Sequence, residues 1–170
     1  MLWAACCVGF FAFMRSGELA LPNGATFDPA RHITPQDVAV DNPLSPTALR
    51  LHLKQSKTDV ARDGVDIFIG RSYTPLCPVV ALLQYLMRRG WDDGPLFRRR
   101  DGSPLTRRAF VALVKQVLSE AGVDATHFSG YSFRIGAATS AAANGLDDAT
   151  IQVLGRWRSS SCTRYIRPPS

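Results

Sequence analysis

The chain has 170 residues, of which 46% are hydrophobic and 20% charged. This length and composition indicate one folded domain and exclude a disordered chain. The net charge of +6 comes mainly from arginine, which favours a polyanionic partner, with nucleic acid first among the candidates. The four cysteines show neither metal-ligand spacing nor a disulfide framework, so we expect an intracellular, reducing compartment and no metal site.

The first fourteen residues are all apolar or glycine. They lack the basic start of a signal peptide and are shorter than the ~20 residues that span a bilayer, so no membrane partner is expected. We predict one helix over Leu2 to Leu19, buried on all sides by elements of a longer chain. Arg15 and Glu18 end this helix on one face, either as a solvated ion pair or as a site arginine oriented by a glutamate.

The next part of the chain predicts a small antiparallel sheet. A proline-rich stretch contains one short strand, at Asp37 to Val40. Residues Ala48 to Leu53 alternate with the strand period and are followed by a polar turn and a second strand, Val65 to Ile69. Lysines in the turn of this hairpin, Lys54 and Lys57, are either solvated or able to reach a leaving group as a general acid.

The second half of the chain is predicted to be mainly helical, because helix caps and stop signals bracket its apolar periodic segments. The predicted helices are Cys77 to Arg89, Thr106 to Ala121, Ile135 to Ala143, Ala149 to Leu154 (capped by Asp147 or Asp148) and Ser159 to Arg167. The fold class is therefore α+β, mainly α-helical with a small antiparallel sheet.

Five arginines in the middle of the chain form a second basic feature: Arg98, Arg99, Arg100, Arg107 and Arg108. They are equally compatible with a solvated loop and with a patch that contacts the DNA phosphate backbone.

A set of chemically suitable residues is spread over these elements. Two arginines, Arg15 and Arg134, could clamp a phosphodiester, and Lys57 could protonate a departing 5′ oxygen. Trp157 could donate its indole N–H, and Tyr165 could attack phosphorus to give a covalent link.

The order of these residues resembles the catalytic domain of the tyrosine recombinases, the phage integrase family. The matching positions are Arg15 to Glu18 (R-x-x-E), Lys57-Thr58, Tyr131 to Arg134 (the H-x-x-R box), Gly155-Arg-Trp157 and Tyr165. The sequences GYSFRIGAA, GRW and RYIR look most similar to Cre-type recombinases and to the recombinases of eukaryotic DIRS-, Ngaro- and Crypton-type mobile elements. The resemblance covers residues 1–167, with 168–170 as a tail.

The resemblance implies site-specific recombination or integration of double-stranded DNA through a 3′-phosphotyrosyl intermediate, by a tetramer and without a cofactor. The catalytic set that it implies is Arg15, Lys57, Tyr131, Arg134, Trp157 and Tyr165, supported by Glu18 and Arg156. It also implies a separate N-terminal core-binding domain, which we expect to be absent from residues 1–170, and a nuclear location if the source is eukaryotic.

Two departures from the family pattern leave alternatives open. Tyr131 stands where the family has histidine, and a phenol with a pKa of about 10 is a poor base at neutral pH. The alternative function is therefore a DNA-binding module with impaired catalysis. The position that holds histidine or tryptophan falls on Trp157 when counted from Arg134 and on Arg156 when counted back from Tyr165; we select Trp157.

Overall fold

The computed structural model describes residues 1–54 and 64–166. Six α-helices, three strands and two short 3₁₀ helices lie in these ranges. In chain order they are α1 (Leu2–Phe11), α2 (Ser16–Leu19), a 3₁₀ helix (Pro35–Asp37), β1 (Val38–Val40), β2 (Ala48–Leu53), β3 (Val65–Gly70), α3 (Pro78–Arg89), α4 (Arg107–Glu120), α5 (Ser132–Ala143), α6 (Asp148–Gly155) and a 3₁₀ helix (Ser160–Tyr165).

The three strands form one antiparallel sheet in the order β1-β2-β3, as the alternation predicted. Leu49, Leu51 and Leu53 of β2 point to one face and are almost completely buried. Leu49 pairs with Ile69 across the β2–β3 ladder, so both strands present apolar residues to the core. The hairpin turn that contains Lys57 lies outside the described residues.

The predicted single helix over Leu2 to Leu19 is wrong, because the chain breaks between α1 and α2. Phe13 adopts a left-handed conformation with φ of 51°. Its N–H donates to the carbonyl of Phe10, and the N–H of Met14 donates to the carbonyl of Gly9. This is the bonding pattern of a Schellman helix end, which normally places glycine at the left-handed position. The sequence has no glycine at this position that would predict the break.

Within the described chain α1 is buried on one side only, and the prediction that elements of a longer chain bury its other side stays a prediction. Trp3 is 53% exposed and Phe11 is 37% exposed, while Ala5 and Val8 on the opposite side are completely buried. The helix is apolar all round in sequence, but only one face packs against the rest of the described chain.

The predicted helices of the second half are present, with small differences in their ends. Thr106 accepts the N–H of Ala109 and caps α4, and Asp147 accepts the N–H of Thr150 and caps α6. Helix α5 begins at Ser132, three residues before the predicted start at Ile135, so Arg134 lies in its first turn. The last segment forms a 3₁₀ helix that ends at Tyr165.

Two apolar clusters hold these elements together. The larger one joins α1, α3, α4 and the buried face of the sheet. The smaller one contains Phe13, Ala137, Ile151 and Trp157, with Tyr165 packed against it. Within the described residues, no helix is long and apolar enough to cross a membrane.

Candidate active site

The carboxylate of Glu18 lies at the centre of the candidate site and binds two arginines. Its Oε1 accepts from Nη1 of Arg15 at 2.9 Å, and its Oε2 accepts from Nη2 of Arg156 at 2.9 Å. Oε2 also accepts the backbone N–H of Arg15 at 2.8 Å, so Glu18 fixes the start of α2 as well. The Glu18 side chain is only 6% exposed. A buried carboxylate with charged donors on both oxygens is a strong and directional link.

Arg134 is the largest fully buried side chain of the described protein, at 1% exposure. Its Nη1 donates to the carbonyl of Phe13 at 2.6 Å, and its Nη2 donates to the carbonyl of Gly155. Phe13 follows the C-terminal end of α1 and Gly155 ends α6, where carbonyls lack partners within a helix. The guanidinium therefore joins the ends of two helices.

Electrostatics at Arg134 are unusual for an arginine. Its pKa falls from the usual 12.5 to about 10, chiefly because burial penalises the charged form. The positive charges of Arg15 and Arg156 act in the same direction, while Glu18 and Tyr165 oppose them. Burial likewise lowers the pKa of Arg156. Three cations around one carboxylate make this region a suitable place for a phosphate anion.

Trp157 lies between Arg134 and Tyr165. The guanidinium carbon of Arg134 is 4.0 Å from the centre of the Trp157 ring, a cation–π contact. The rings of Trp157 and Tyr165 are 5.2 Å apart, and Phe13 meets the tryptophan edge-on at 6.4 Å. The backbone carbonyl of Tyr165 accepts from Thr139 of α5 at 3.2 Å. These contacts place the partly buried Tyr165 against the same tryptophan ring as Arg134.

Two glycines allow these close approaches. A Cβ on Gly155 would overlap the ring of Trp157. A Cβ on Gly130 would overlap Oγ of Ser16, whose N–H donates to the Gly130 carbonyl at 3.3 Å. Gly130 thus brings the loop before α5 against α2, and Gly155 leaves room for the indole.

Tyr131 differs from the other predicted site residues because it is 57% exposed. It precedes α5, and its backbone N–H donates to Oγ of Ser129 at 3.3 Å. The structure therefore brings together Arg15, Glu18, Arg134, Arg156, Trp157 and Tyr165, while the Tyr131 side chain lies at the surface of the same region.

The two candidate lysines differ in what the structure describes. Lys54 binds Asp37 at 2.7 Å and the carbonyl of Pro29 at 2.7 Å, so its ammonium fastens the end of β2 to the preceding loop. Lys57 lies outside the described residues.

The five arginines proposed to contact the DNA backbone differ in their partners and exposure. Arg98 is held by the Asp92 carboxylate at 2.7 Å and by the carbonyl of Arg89 at 2.7 Å. The other four, Arg99, Arg100, Arg107 and Arg108, are exposed. Arg98 is therefore held by partners on its own chain, and Arg99 lies 3.8 Å from the exposed carboxylate of Asp101, while the side chains of these four arginines remain open to the solvent.

Sequence reasoning missed the contribution of backbone carbonyls to the site. Ala12 accepts from Nη1 of Arg156 at 2.9 Å, and Phe13 accepts from Arg134. These carbonyls are available as acceptors because α1 ends there. Neither a glycine nor a proline in the sequence predicts that end. Only the unbroken apolar run before Arg15 pointed to this segment at all.

Comparison with known proteins agrees with this geometry. The family model described as "Phage integrase family" matches residues 72–168. The integrase/recombinase xerD homolog of Selenomonas ruminantium is 31% identical over 174 residues, which cover 94% of this chain and 45% of that protein.

Solved structures show the same fold. The XerA recombinase aligns with a TM-score of 0.71 and 20% identity over 98% of this chain and 53% of its own. The XerH recombinase bound to its difH substrate, in a pre-cleavage complex, aligns with a TM-score of 0.68 and 17% identity over 98% of this chain and 43% of its own. This chain spans about half the length of the relatives it matches. The α+β fold with a three-stranded antiparallel sheet and the resemblance to a tyrosine recombinase catalytic domain are thereby confirmed, and the chain belongs to the phage integrase family.

Proposed function

We propose that this protein binds double-stranded DNA and cleaves and rejoins it through a covalent 3′-phosphotyrosyl intermediate, in site-specific recombination or integration. The observation that carries the proposal is the meeting of Arg15, Arg134, Trp157 and Tyr165 from four separate elements in one electropositive region. A covalent phosphotyrosine needs this combination of a hydroxyl nucleophile and cations that neutralise the charge on phosphorus.

The residues take the following roles in this proposal. The phenol oxygen of Tyr165 attacks phosphorus, the bond from phosphorus to the 5′ oxygen breaks, and Lys57 supplies a proton to that oxygen. Arg15 and Arg134 stabilise the charge on the equatorial oxygens, and Trp157 holds Arg134 and Tyr165 side by side. Rejoining is the reverse reaction. Because Lys54 is bound to Asp37, it is the weaker candidate for the proton donor.

Removal of one hydroxyl tests the nucleophile. We expect the wild-type protein to form a covalent adduct with a labelled pool of nicked suicide duplexes, seen as a retarded band on a denaturing gel. Tyr165→Phe should lose the adduct completely, because no other atom forms the phosphoester. Tyr73→Phe is the matched control, since Tyr73 is 77% exposed. Equal adduct from wild type and Tyr165→Phe would refute the assignment.

A second candidate function is a DNA-binding module that no longer cleaves DNA. The exposure of Tyr131, at a position where the family has histidine, favours it. This alternative gives salt-dependent duplex binding without any covalent band. Binding that is unchanged between low and physiological salt would contradict it.

The wider assembly is part of the same proposal. Residues 1–167 act as the catalytic domain, a core-binding domain on the same polypeptide holds the other face of the DNA, and four copies assemble on it. We also propose an intracellular protein of a mobile element, nuclear if its source is eukaryotic, with motifs similar to those of Cre-type and DIRS-type recombinases.

A further inference from the structure

We infer that Arg156 is a positioning residue that aligns Arg15 through Glu18 and does not itself bind the DNA phosphate. The inference deepens the proposed function and rests on it for the role of Arg15. Within the family, this region of sequence is where a histidine or tryptophan is expected, and here two neighbouring residues, Arg156 and Trp157, compete for that position.

The Arg156 side chain forms its hydrogen bonds within the protein. Its Nη1 donates to the carbonyl of Ala12 at 2.9 Å and its Nη2 donates to Oε2 of Glu18 at 2.9 Å. Both terminal nitrogens thus bind acceptors of the protein, and one of these acceptors is the Glu18 carboxylate, which neutralises the charge of Arg156, whereas both acceptors of Arg134 are uncharged carbonyls. The side chain is 12% exposed, and its Nε is buried without a hydrogen-bond partner among the residues that the structure describes.

The backbone at Arg156 directs its side chain to a different part of the site from that of Trp157. Arg156 follows α6 in a left-handed conformation, with φ of 59° and ψ of 40°. Residues other than glycine and asparagine rarely adopt this conformation because the Cβ comes too close to the following carbonyl oxygen, so the surrounding contacts must hold it. The turn sends Arg156 towards Glu18 and the end of α1, while Trp157 turns towards Arg134.

Arg15 and Arg156 share the carboxylate of Glu18. Arg15 uses Oε1 of Glu18 and Arg156 uses Oε2, so the two arginines fix the plane of the carboxylate from both sides. The planar guanidinium can span Ala12 and Glu18 together, whereas a lysine ammonium concentrates its charge at one point. Removal of Arg156 takes away the bond that Glu18 receives from α6, and the bonds from the side chain and backbone N–H of Arg15 then hold the carboxylate from one side only.

The division of labour follows from these contacts. Trp157 supports Arg134 and Tyr165, and Arg156 supports Glu18 and Arg15. The two adjacent residues therefore serve the two arginines of the site separately.

The first measurement separates positioning from phosphate contact. Arg156→Gln should slow single-turnover adduct formation by about 100-fold, the cost of a small misplacement of a catalytic group. The slope of log duplex affinity against log salt concentration should equal that of wild type. The loss of one phosphate contact would change that slope by about 0.9. Arg156→Lys should be slow as well, since it keeps the charge but loses the two-pronged contact. A slope lower by about one, together with near-normal cleavage by Arg156→Lys, would overturn the inference.

The second measurement does not depend on cleavage. Thermal unfolding of Glu18→Gln, Arg156→Gln and the double variant should show non-additive losses, with the double variant no less stable than the worse single variant. Arg158→Gln is the matched control, because Arg158 is exposed and its loss should add independently to that of Glu18→Gln. Additive losses for Arg156→Gln would contradict the shared carboxylate.

A stability-matched variant removes the remaining ambiguity. The Asp41 carboxylate accepts the backbone N–H groups of Thr47 and Ala48 in the turn between β1 and β2. Asp41→Ala removes these bonds and should lower the melting temperature while leaving the adduct rate of the folded protein unchanged. If Asp41→Ala slowed adduct formation as much as Arg156→Gln, the effect of Arg156 would be general destabilisation. Absence of any adduct from wild type would instead reject the proposed function and leave the unfolding cycle to decide on Arg156.

Discussion

Arg134 carries a full positive charge into the interior of the protein. Its pKa of about 10 is low for an arginine but still well above neutral, so the side chain stays protonated across the physiological range. Because folding lowers this pKa, the charge of Arg134 reduces the free energy of unfolding at every pH below about 10. This destabilisation decreases as the pH rises through that value. An anion bound beside Arg134 offsets the same destabilisation at neutral pH. Binding of a phosphate should therefore stabilise the folded protein.

Tyr131 offers a test at the scale of one residue. Tyr131→His should raise the rate of adduct formation by about 100-fold at neutral pH, the lower end of what a positioned general base contributes. The rate of the variant should increase with pH through about 6.5, because only neutral imidazole accepts a proton. Single-turnover rates measured between pH 5.5 and 8.5 check both statements.

The matched control for this prediction is Tyr73→His, another exposed tyrosine outside the site. It should leave rate and pH profile unchanged. An unchanged or lower rate for Tyr131→His would mean that a different group accepts the proton of Tyr165.

The sequence could predict some of these residues and not others. Arg15, Arg134 and Tyr165 could be chosen because each occurs in a local motif whose order is informative. Arg156 and Trp157 could not be separated, because counting from the two ends of the motif gave different answers. The direction of each side chain depends on the left-handed turn at Arg156, and an arginine in that conformation has no signature in the sequence.

Among the elements, the C-terminal end of α1 has the largest influence on the site. The helix end leaves carbonyls without partners within the helix, and Arg134 and Arg156 bind two carbonyls there, at Phe13 and Ala12. Positive side chains at the negative end of a helix are favourable, and here both guanidinium groups are largely buried. The break in α1 is thus part of the site and not a detail of the connection to α2.

The end of α6 gives a prediction at the scale of an element. Gly155→Ala should destabilise the protein by about 1–3 kcal/mol, because the new methyl overlaps the ring of Trp157. The ring cannot move cheaply, since Arg134, Phe13 and Tyr165 surround it. Thermal unfolding and the near-ultraviolet circular dichroism of tryptophan measure the effect.

Gly136→Ala is the matched control, in the middle of α5. A Cβ there would meet Phe10 at 3.5 Å, an ordinary contact, so the variant should be as stable as wild type or more stable by up to about 1 kcal/mol. Equal stability of Gly155→Ala and wild type would show that the tryptophan can relocate.

Element prediction from sequence was reliable where local chemistry sets the structure. Thr106 and Asp147 cap their helices as expected, and the alternation at Ala48 to Leu53 became β2. It was unreliable where tertiary packing sets the structure. The end of α1 is stabilised by arginines more than a hundred residues away, and Phe13 itself favours no break.

At the scale of the whole molecule, the net charge of +6 should appear in DNA binding. Replacement of both Arg99 and Arg100 by glutamine should lower the slope of log affinity against log salt by about two, one unit for each lost phosphate contact. Both side chains are exposed, whereas Arg98 is bound to Asp92. Binding titrations between 50 and 200 mM salt, as the usual range, measure the slope.

Arg71→Gln is the control for this change, because Arg71 is exposed beyond the end of β3 and lies over the ring of Tyr73. Its slope should match that of wild type. A slope for the Arg99 and Arg100 double variant equal to that of Arg71→Gln would remove this loop from the DNA interface.

The contacts of Glu18, Ala12 and Phe13 also constrain when the site can form. The bonds that close it join residues separated by 121, 138 and 144 positions in the chain. Bringing together groups so distant in sequence carries a large loop-closure entropy, which slows folding. During synthesis, the helix that supplies the carbonyls leaves the ribosome long before the arginines that bind them. The cluster of arginines around Glu18 can therefore assemble only after α5 and α6 have been made, so a growing chain holds Arg15 and Glu18 before Arg134 and Arg156 exist to join them.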